Sequence, residues 1–241
     1  MEINNIWSAL SSENPELINL ILHIGMFIEG YLTLNLFLSI FNISTTRNKK
    51  ILYVILFATI GIISSLFIPS PYNLIVNYLT LFFIVFLIFK LPPLKVILCV
   101  IVPIILFALI GSLIINPYLT LFNISYEQTE SIPIYRLGYL AIMYTIASLI
   151  IFIIKLKNIK LTILEDLDKN TKIIIFANLI LGFVVLFIQI FITVYYINVL
   201  PLLITFLNFI TLLSYFFIST YSLTRVTKLY KTQKQLENSE A

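Results

Sequence analysis

Seven long apolar stretches alternate with short gaps, and lysine and arginine are gathered in every second gap. The stretches run over 17–41, 51–68, 72–89, 94–115, 134–154, 173–196 and 202–222, each 18 to 25 residues long. That is the length of α-helix that crosses a hydrocarbon core about 30 Å thick. Strands and buried soluble helices do not repeat such a length seven times. The N-terminal tail carries Glu2, Glu13 and Glu16 without a base, and the next gap carries Arg47, Lys49 and Lys50 without an acid. Lys90 and Lys95 flank the third gap. The gap at 116–133 holds Glu127 and Glu130 only, and the one at 155–172 holds five lysines beside three acids. The tail from 223 adds Arg225, Lys228, Lys231 and Lys234. Placing the basic gaps in the cytoplasm leaves Arg136 as the one exception among 15 Lys and Arg residues, as the positive-inside bias requires. The pattern predicts an all-α fold, a transmembrane bundle of seven spans with its N-terminus outside and its C-terminus cytoplasmic.

Composition excludes the other classes. Charged residues make up 11% of the chain and hydrophobic ones 60%, where a soluble domain has about 25% charged. The net charge of +4 is therefore a loop bias that faces lipid headgroups, and nucleic acid is not a partner. The single cysteine, Cys99, lies within the fourth span, so no disulfide framework and no metal set is spaced along the chain. The first 16 residues lack a basic n-region, so the first span is read as retained rather than cleaved. It carries Asn19, His23, Glu29 and Asn35 among fifteen Leu, Ile and Phe residues. Those fifteen favour insertion by roughly 4–9 kcal/mol, and one mid-span carboxylate opposes it by about 3. Insertion wins, and the polar stripe is expected to turn into a bundle.

Short connections make consecutive spans antiparallel neighbours. The largest outer segment, 116–133, is bracketed by Pro117 and Pro133 and is too short to hold a core, so an external ligand is met by it and by the outer helix ends. Tyr72, Tyr118, Tyr126, Tyr135, Tyr139, Tyr195 and Tyr196 collect at that level. They form either an aromatic interface belt or, in part, the wall of an outward pocket. The Asn-Ile-Ser triplets at Asn42 and Asn123 are taken as chance matches to a glycosylation acceptor.

Beyond the last span, residues 223–241 lack Pro and Gly and place Val226, Leu229, Gln233 and Leu236 at 3–4–3 spacing, a short a/d seam. The chain is thus divided into a seven-helix membrane domain, 1–222, and a cytoplasmic linker helix, 223–241. The seam breaks off without a cap, as in a module that continues into a further region.

An acidic outer tail, Glu29 in the first span, the Ile134–Tyr139 run Ile-Tyr-Arg-Leu-Gly-Tyr opening a late span, and a final span running into a polar helix resemble a known arrangement. It is the sensor half of the accessory-gene-regulator-type quorum-sensing histidine kinases of Gram-positive bacteria. The resemblance implies a homodimer in the bacterial plasma membrane that recognises a secreted peptide, with linker helices passing the signal to a cytoplasmic kinase region. No cofactor is implied. His23 lies within the first span, so the phosphoacceptor is not in this chain, and the chain itself is expected not to be an enzyme. The Ile-, Asn- and Lys-rich usage agrees with a low-GC bacterial source.

Candidate ligand-binding residues are the polar groups of the outer half, His23, Asn77, Arg136, Gln189 and Asn208, with Glu29 deeper. Arg136 either holds a peptide carboxylate or pairs with Glu127 or Glu130 and snorkels to headgroups. Glu29 either serves function, the default for an intramembrane carboxylate, or is satisfied by Asn77, Gln189 or a tyrosine hydroxyl. Asn19 and His23 share a helix face, and His23 and Glu29 do not. No protease, hydrolase or phosphate-loop motif occurs, and Cys99 and His23 fall at different depths. The rival reading is a small transporter, with Pro103 and Gly111 interrupting the fourth span and Glu29 carrying a proton. Seven spans without an internal repeat count against it.

Overall fold

A computed structural model describes residues 2–69 and 72–158, together with isolated helical positions between 177 and 232. Every described element is an α-helix: α1 (Glu2–Ser11), α2 (Pro15–Ile40), α3 (Arg47–Phe67), α4 (Tyr72–Phe89), α5 (Pro93–Phe122), α6 (Tyr126–Ser131) and α7 (Pro133–Leu156). The first five expected spans coincide with α2, α3, α4, α5 and α7. The sixth and seventh, 173–196 and 202–222, are described only at scattered helical positions, and the linker residues Val226, Leu229, Gln233 and Leu236 lie outside the described residues.

Local chemistry sets the helix starts. Pro15, Pro93 and Pro133 each occupy the first turn of their helix, where a missing N–H costs nothing. Asn14 caps α2 by accepting from the Leu17 amide at 3.1 Å. The ends use the left-handed region, which asparagine tolerates better than most residues. Asn42, Lys90, Asn123 and Asn158 follow α2, α4, α5 and α7 with φ of 50–52°. After α2 the Ile43 amide donates to the Leu38 carbonyl, and after α5 the Ile124 amide donates to Leu119, both at 3.1 Å. The two Asn-Ile-Ser triplets are thus the same helix-stop signal used twice.

The N-terminal tail also carries structure: its first ten described residues form α1. One expectation is corrected: the outer segment at 116–133 is not a loop between prolines. α5 runs through Pro103 and Pro117 to Phe122, and the six-residue α6 fills most of the rest. Ser125 starts α6 with a capping box: the Gln128 amide donates to Ser125 Oγ at 3.1 Å, and the Ser125 amide donates to Gln128 Oε1 at 2.8 Å.

The five long helices close into a ring in the order α2, α3, α4, α5, α7 and back to α2, with α2 also reaching α5 across it. Facing residues give the directions. Met26 meets Gly61 and Phe37 meets Tyr53, so α2 and α3 are antiparallel. Ser64 bonds Asn77 and Tyr53 meets Phe89, which makes α3 and α4 antiparallel. Tyr118 lies over Gly138 and Tyr139 over Gly111, so α5 and α7 are antiparallel too. Tyr144 donates to the Gly25 carbonyl at 3.1 Å and Lys155 to Asn35 Oδ1 at 3.1 Å, which makes α2 and α7 parallel. One end of the bundle therefore gathers Arg47, Lys49, Lys50, Lys90, Lys95, Lys155 and Lys157, and α6 and the acids Glu13, Glu16, Glu127 and Glu130 lie at the other.

Near the basic end the core is an aromatic cluster. Phe37 meets the rings of Tyr53 and Phe89 edge-on, each with centroids 5.4 Å apart, the favoured geometry of ring quadrupoles. Higher in the bundle, glycines let bulky side chains lie against neighbouring backbones, as in membrane interiors where association depends on close packing. A Cβ on Gly25, Gly30 or Gly138 would stand 2.8, 2.9 and 2.6 Å from Tyr144, Phe57 and Tyr118 respectively. Outward faces remain apolar: Leu66, Phe67, Leu87, Phe152 and Leu156 are all more than 60% exposed. Such surface is excluded from water but costs nothing in lipid. Four helices, α2, α3, α5 and α7, are long and apolar enough to cross a membrane, and α4 is apolar over its length. The described residues thus form an all-helical bundle whose long helices are suited to a membrane.

Candidate functional site

The polar residues of the bundle form a track that begins under α6 and descends between α2, α5 and α7. Its head is Arg136, in the first turn of α7. The Arg136 side chain is only 16% exposed and is ion-paired through Nη1 to Glu130 of α6. Its Nε is buried with no hydrogen-bond partner among the described residues. Arg136 thus takes the ion-pairing alternative, with a donor left over. Tyr126, also on α6, is half-buried beside this pair. Burial first, and then Glu130 against the opposing Arg136, pushes its phenol up to about 12, so it stays a neutral hydroxyl hydrogen-bonded with Glu130.

Tyr118 and Tyr139 form the next level. Tyr118 is buried between α5 and α7, donates to the Tyr135 carbonyl at 2.7 Å, and has its ring 6.0 Å from that of Tyr139. Tyr139 interacts electrostatically with Arg136 and Glu130 at the α6 end and with Glu29 beneath. Glu29 is the floor of the track. It lies fourteen residues past Pro15, about 21 Å along a helix about 39 Å long. Its side chain is half-buried and makes no ion pair or hydrogen bond among the described residues. Four tyrosines from three other helices lie within its electrostatic reach: Tyr53 of α3, Tyr78 of α4, and Tyr139 and Tyr144 of α7. The Tyr53 hydroxyl is wholly buried and has no partner among the described residues.

The other candidates fall elsewhere. Asn77 accepts a hydrogen bond from Ser64 Oγ and so ties α4 to α3; it makes no hydrogen bond to Glu29. His23 is half-buried on α2, away from the Glu29 face, and Asn208 is half-buried in an isolated helical stretch. Gln189, Tyr195 and Tyr196 lie outside the described residues. The tyrosine belt divides in two: Tyr72 is 51% exposed as a belt residue would be, whereas Tyr118, Tyr126, Tyr135 and Tyr139 turn inward. Sequence reasoning missed Tyr53, Tyr78 and Tyr144, which it had no way to separate from other aromatics of the spans. What they share is electrostatic reach to Glu29, and that is set by helix register.

Chemically, the track offers a guanidinium donor under a short polar cap, a wall of neutral hydroxyls, and a carboxyl that no base neutralises. Among the described residues no cluster of metal-ligating side chains occurs. Comparisons with protein-family models, with curated proteins and with solved structures found no match, so the residues themselves carry the functional reading.

Proposed function

We propose that this chain is the membrane receptor module of a signalling protein, with seven spans, an external N-terminus and a cytoplasmic C-terminus. The observation that carries the reading is Arg136, a largely buried guanidinium with one donor unused, set beneath an external cap and above a tyrosine track. A secreted peptide presenting a carboxylate would exchange with Glu130 at Arg136, and its apolar part would pack among Tyr118, Tyr126 and Tyr139. Release of Glu130 frees α6 from α7, and the displacement passes along the parallel α2–α7 pair through the Tyr144–Gly25 and Lys155–Asn35 bonds. The segment from 223, carrying Val226, Leu229, Gln233 and Leu236, would hand it to a cytoplasmic histidine-kinase region in a homodimer. The charge bias of the gaps and the resemblance to quorum-sensing kinase sensors support this assignment.

The test is ligand-dependent thermal unfolding in proteoliposomes, with peptide fractions of conditioned medium from the source organism. A peptide that raises the melting temperature should bind Arg136→Gln at least tenfold more weakly, since a hydrogen bond to a charged group contributes about 1.5–3 kcal/mol. Equal binding by Arg136→Gln would remove the site. In the full-length gene product, the same peptide should change autophosphorylation.

Glu29 favours a second reading, a proton-coupled transporter, because a mid-helix carboxyl without a counter-charge is what such carriers use. Peptide-independent proton flux abolished by Glu29→Gln would favour it over the receptor.

A further inference from the structure

We propose that α1 is an in-plane interfacial helix that docks on the bilayer surface at the α6 end, with Ile6 and Trp7 set among the lipid headgroups and upper acyl chains. The ten residues of α1 place Ile3, Ile6, Trp7 and Leu10 at helical 3–1–3 spacing on one side, and Glu2, Asn4, Asn5, Ser8 and Ser11 around the other. Leu10 is half-buried, but Ile6 and Trp7 are 60% and 61% exposed, so these two side chains are not spent on the rest of the described protein. The helix is nevertheless held in place. It packs on α7, and the Asn14 amide just beyond it donates to the Ser131 carbonyl at the end of α6.

Position decides the occupant. From Ser11 to Pro15 the chain takes four steps and spans at most roughly 14 Å. Below Pro15, the outward face of α2 becomes apolar at Leu20 and Ile24, each more than 50% exposed. α1 is therefore tethered within reach of the level where that lipid-facing surface begins. A protein partner is the weaker candidate, because two exposed side chains on one short helix fall far short of the roughly 800 Å² per partner of a stable interface. Tryptophan prefers the headgroup level, where its ring is buried and its N–H stays solvated. α1 contains no Lys or Arg, so its docking depends on apolar burial and not on anionic lipid.

Trp7 is the only tryptophan of the sequence, which makes its fluorescence a direct reading of this helix in the unmodified protein. In proteoliposomes of phosphatidylcholine, Trp7 should emit at shorter wavelength than free tryptophan and resist quenching by aqueous iodide. Lipids brominated near the carbonyls should quench it more than lipids brominated near the chain ends, and high salt should leave this order unchanged. Iodide quenching equal to that of free tryptophan, with no effect of either brominated lipid, would overturn the proposal in favour of a water-facing helix. Protection from iodide and bromine alike, lost as the protein is diluted in lipid, would overturn it in favour of a second copy on this face.

Discussion

At the scale of single residues, the sequence exposes Glu29 and Arg136 because each breaks a rule: an acid within a span, and a base at the outer end of a span beside an acidic gap. What it does not expose is their surroundings. Arg136 has its Glu130 partner six positions away, and Glu29 has its tyrosine neighbours 24 to 115 positions away along the chain. Glu29 spends stability, for a polar side chain in an apolar bundle without a hydrogen bond forfeits hydration and gains nothing in exchange. Glu29→Leu is therefore expected to raise stability by about 1 kcal/mol or more, seen as a higher midpoint of thermal unfolding in detergent. A lower midpoint would show that the carboxyl is structurally bonded. Gly25 tells the opposite story. Its missing side chain admits Tyr144, so Gly25→Val should cost about 1–3 kcal/mol by overpacking. In the Tyr144→Phe background the cost of Gly25→Val should shrink, because the hydroxyl nearest the added Cβ is gone.

At the scale of elements, hydrophobic length placed five helices within a few residues and failed at their ends. α5 passes its expected limit of 115 because Pro117 is tolerated within the helix and Asn123 is what stops it. An asparagine reads as a loop residue until its φ is known. Only glycine adopts that conformation without strain, so Asn123→Gly should leave unfolding midpoints within a few tenths of a kcal/mol, whereas Asn123→Val should cost about 1–2 kcal/mol. Equal effects of the two would mean that the left-handed turn is not what ends α5. α1 escaped detection because ten residues with a four-residue apolar stripe carry too weak a period.

At the scale of the whole molecule, the two ends of the bundle differ in charge, with bases at one and acids with α6 at the other. This polarity makes the orientation testable. Cys99 is 1% exposed, and in a Cys99→Ala background single cysteines introduced at Ser12 and at Asn158 report the two ends. A membrane-impermeant maleimide applied to intact cells should label Ser12→Cys and spare Asn158→Cys. The reverse pattern would invert the topology, and with it the external placement of the Arg136 site. The closed ring also predicts that distant helices fail together. Phe37→Ala, which removes a ring touching both α3 and α4, should cost roughly 3–5 kcal/mol in a single unfolding transition rather than melt α2 alone.

The sequence by itself determined that the chain is helical and suited to a membrane, because run length and charge placement answer to bilayer thickness and headgroup charge, which are fixed outside the protein. It also determined which two ionisable residues stand out. Only the tertiary structure decided that Asn77 ties α3 to α4, that Arg136 pairs with Glu130, and that four tyrosines come within electrostatic reach of Glu29. Those outcomes depend on the rotation and register of one helix against another. In a chain of nearly uniform Ile, Leu and Phe, register is set by a few glycines and the rings that fit over them, and no period in the sequence records which glycine receives which ring.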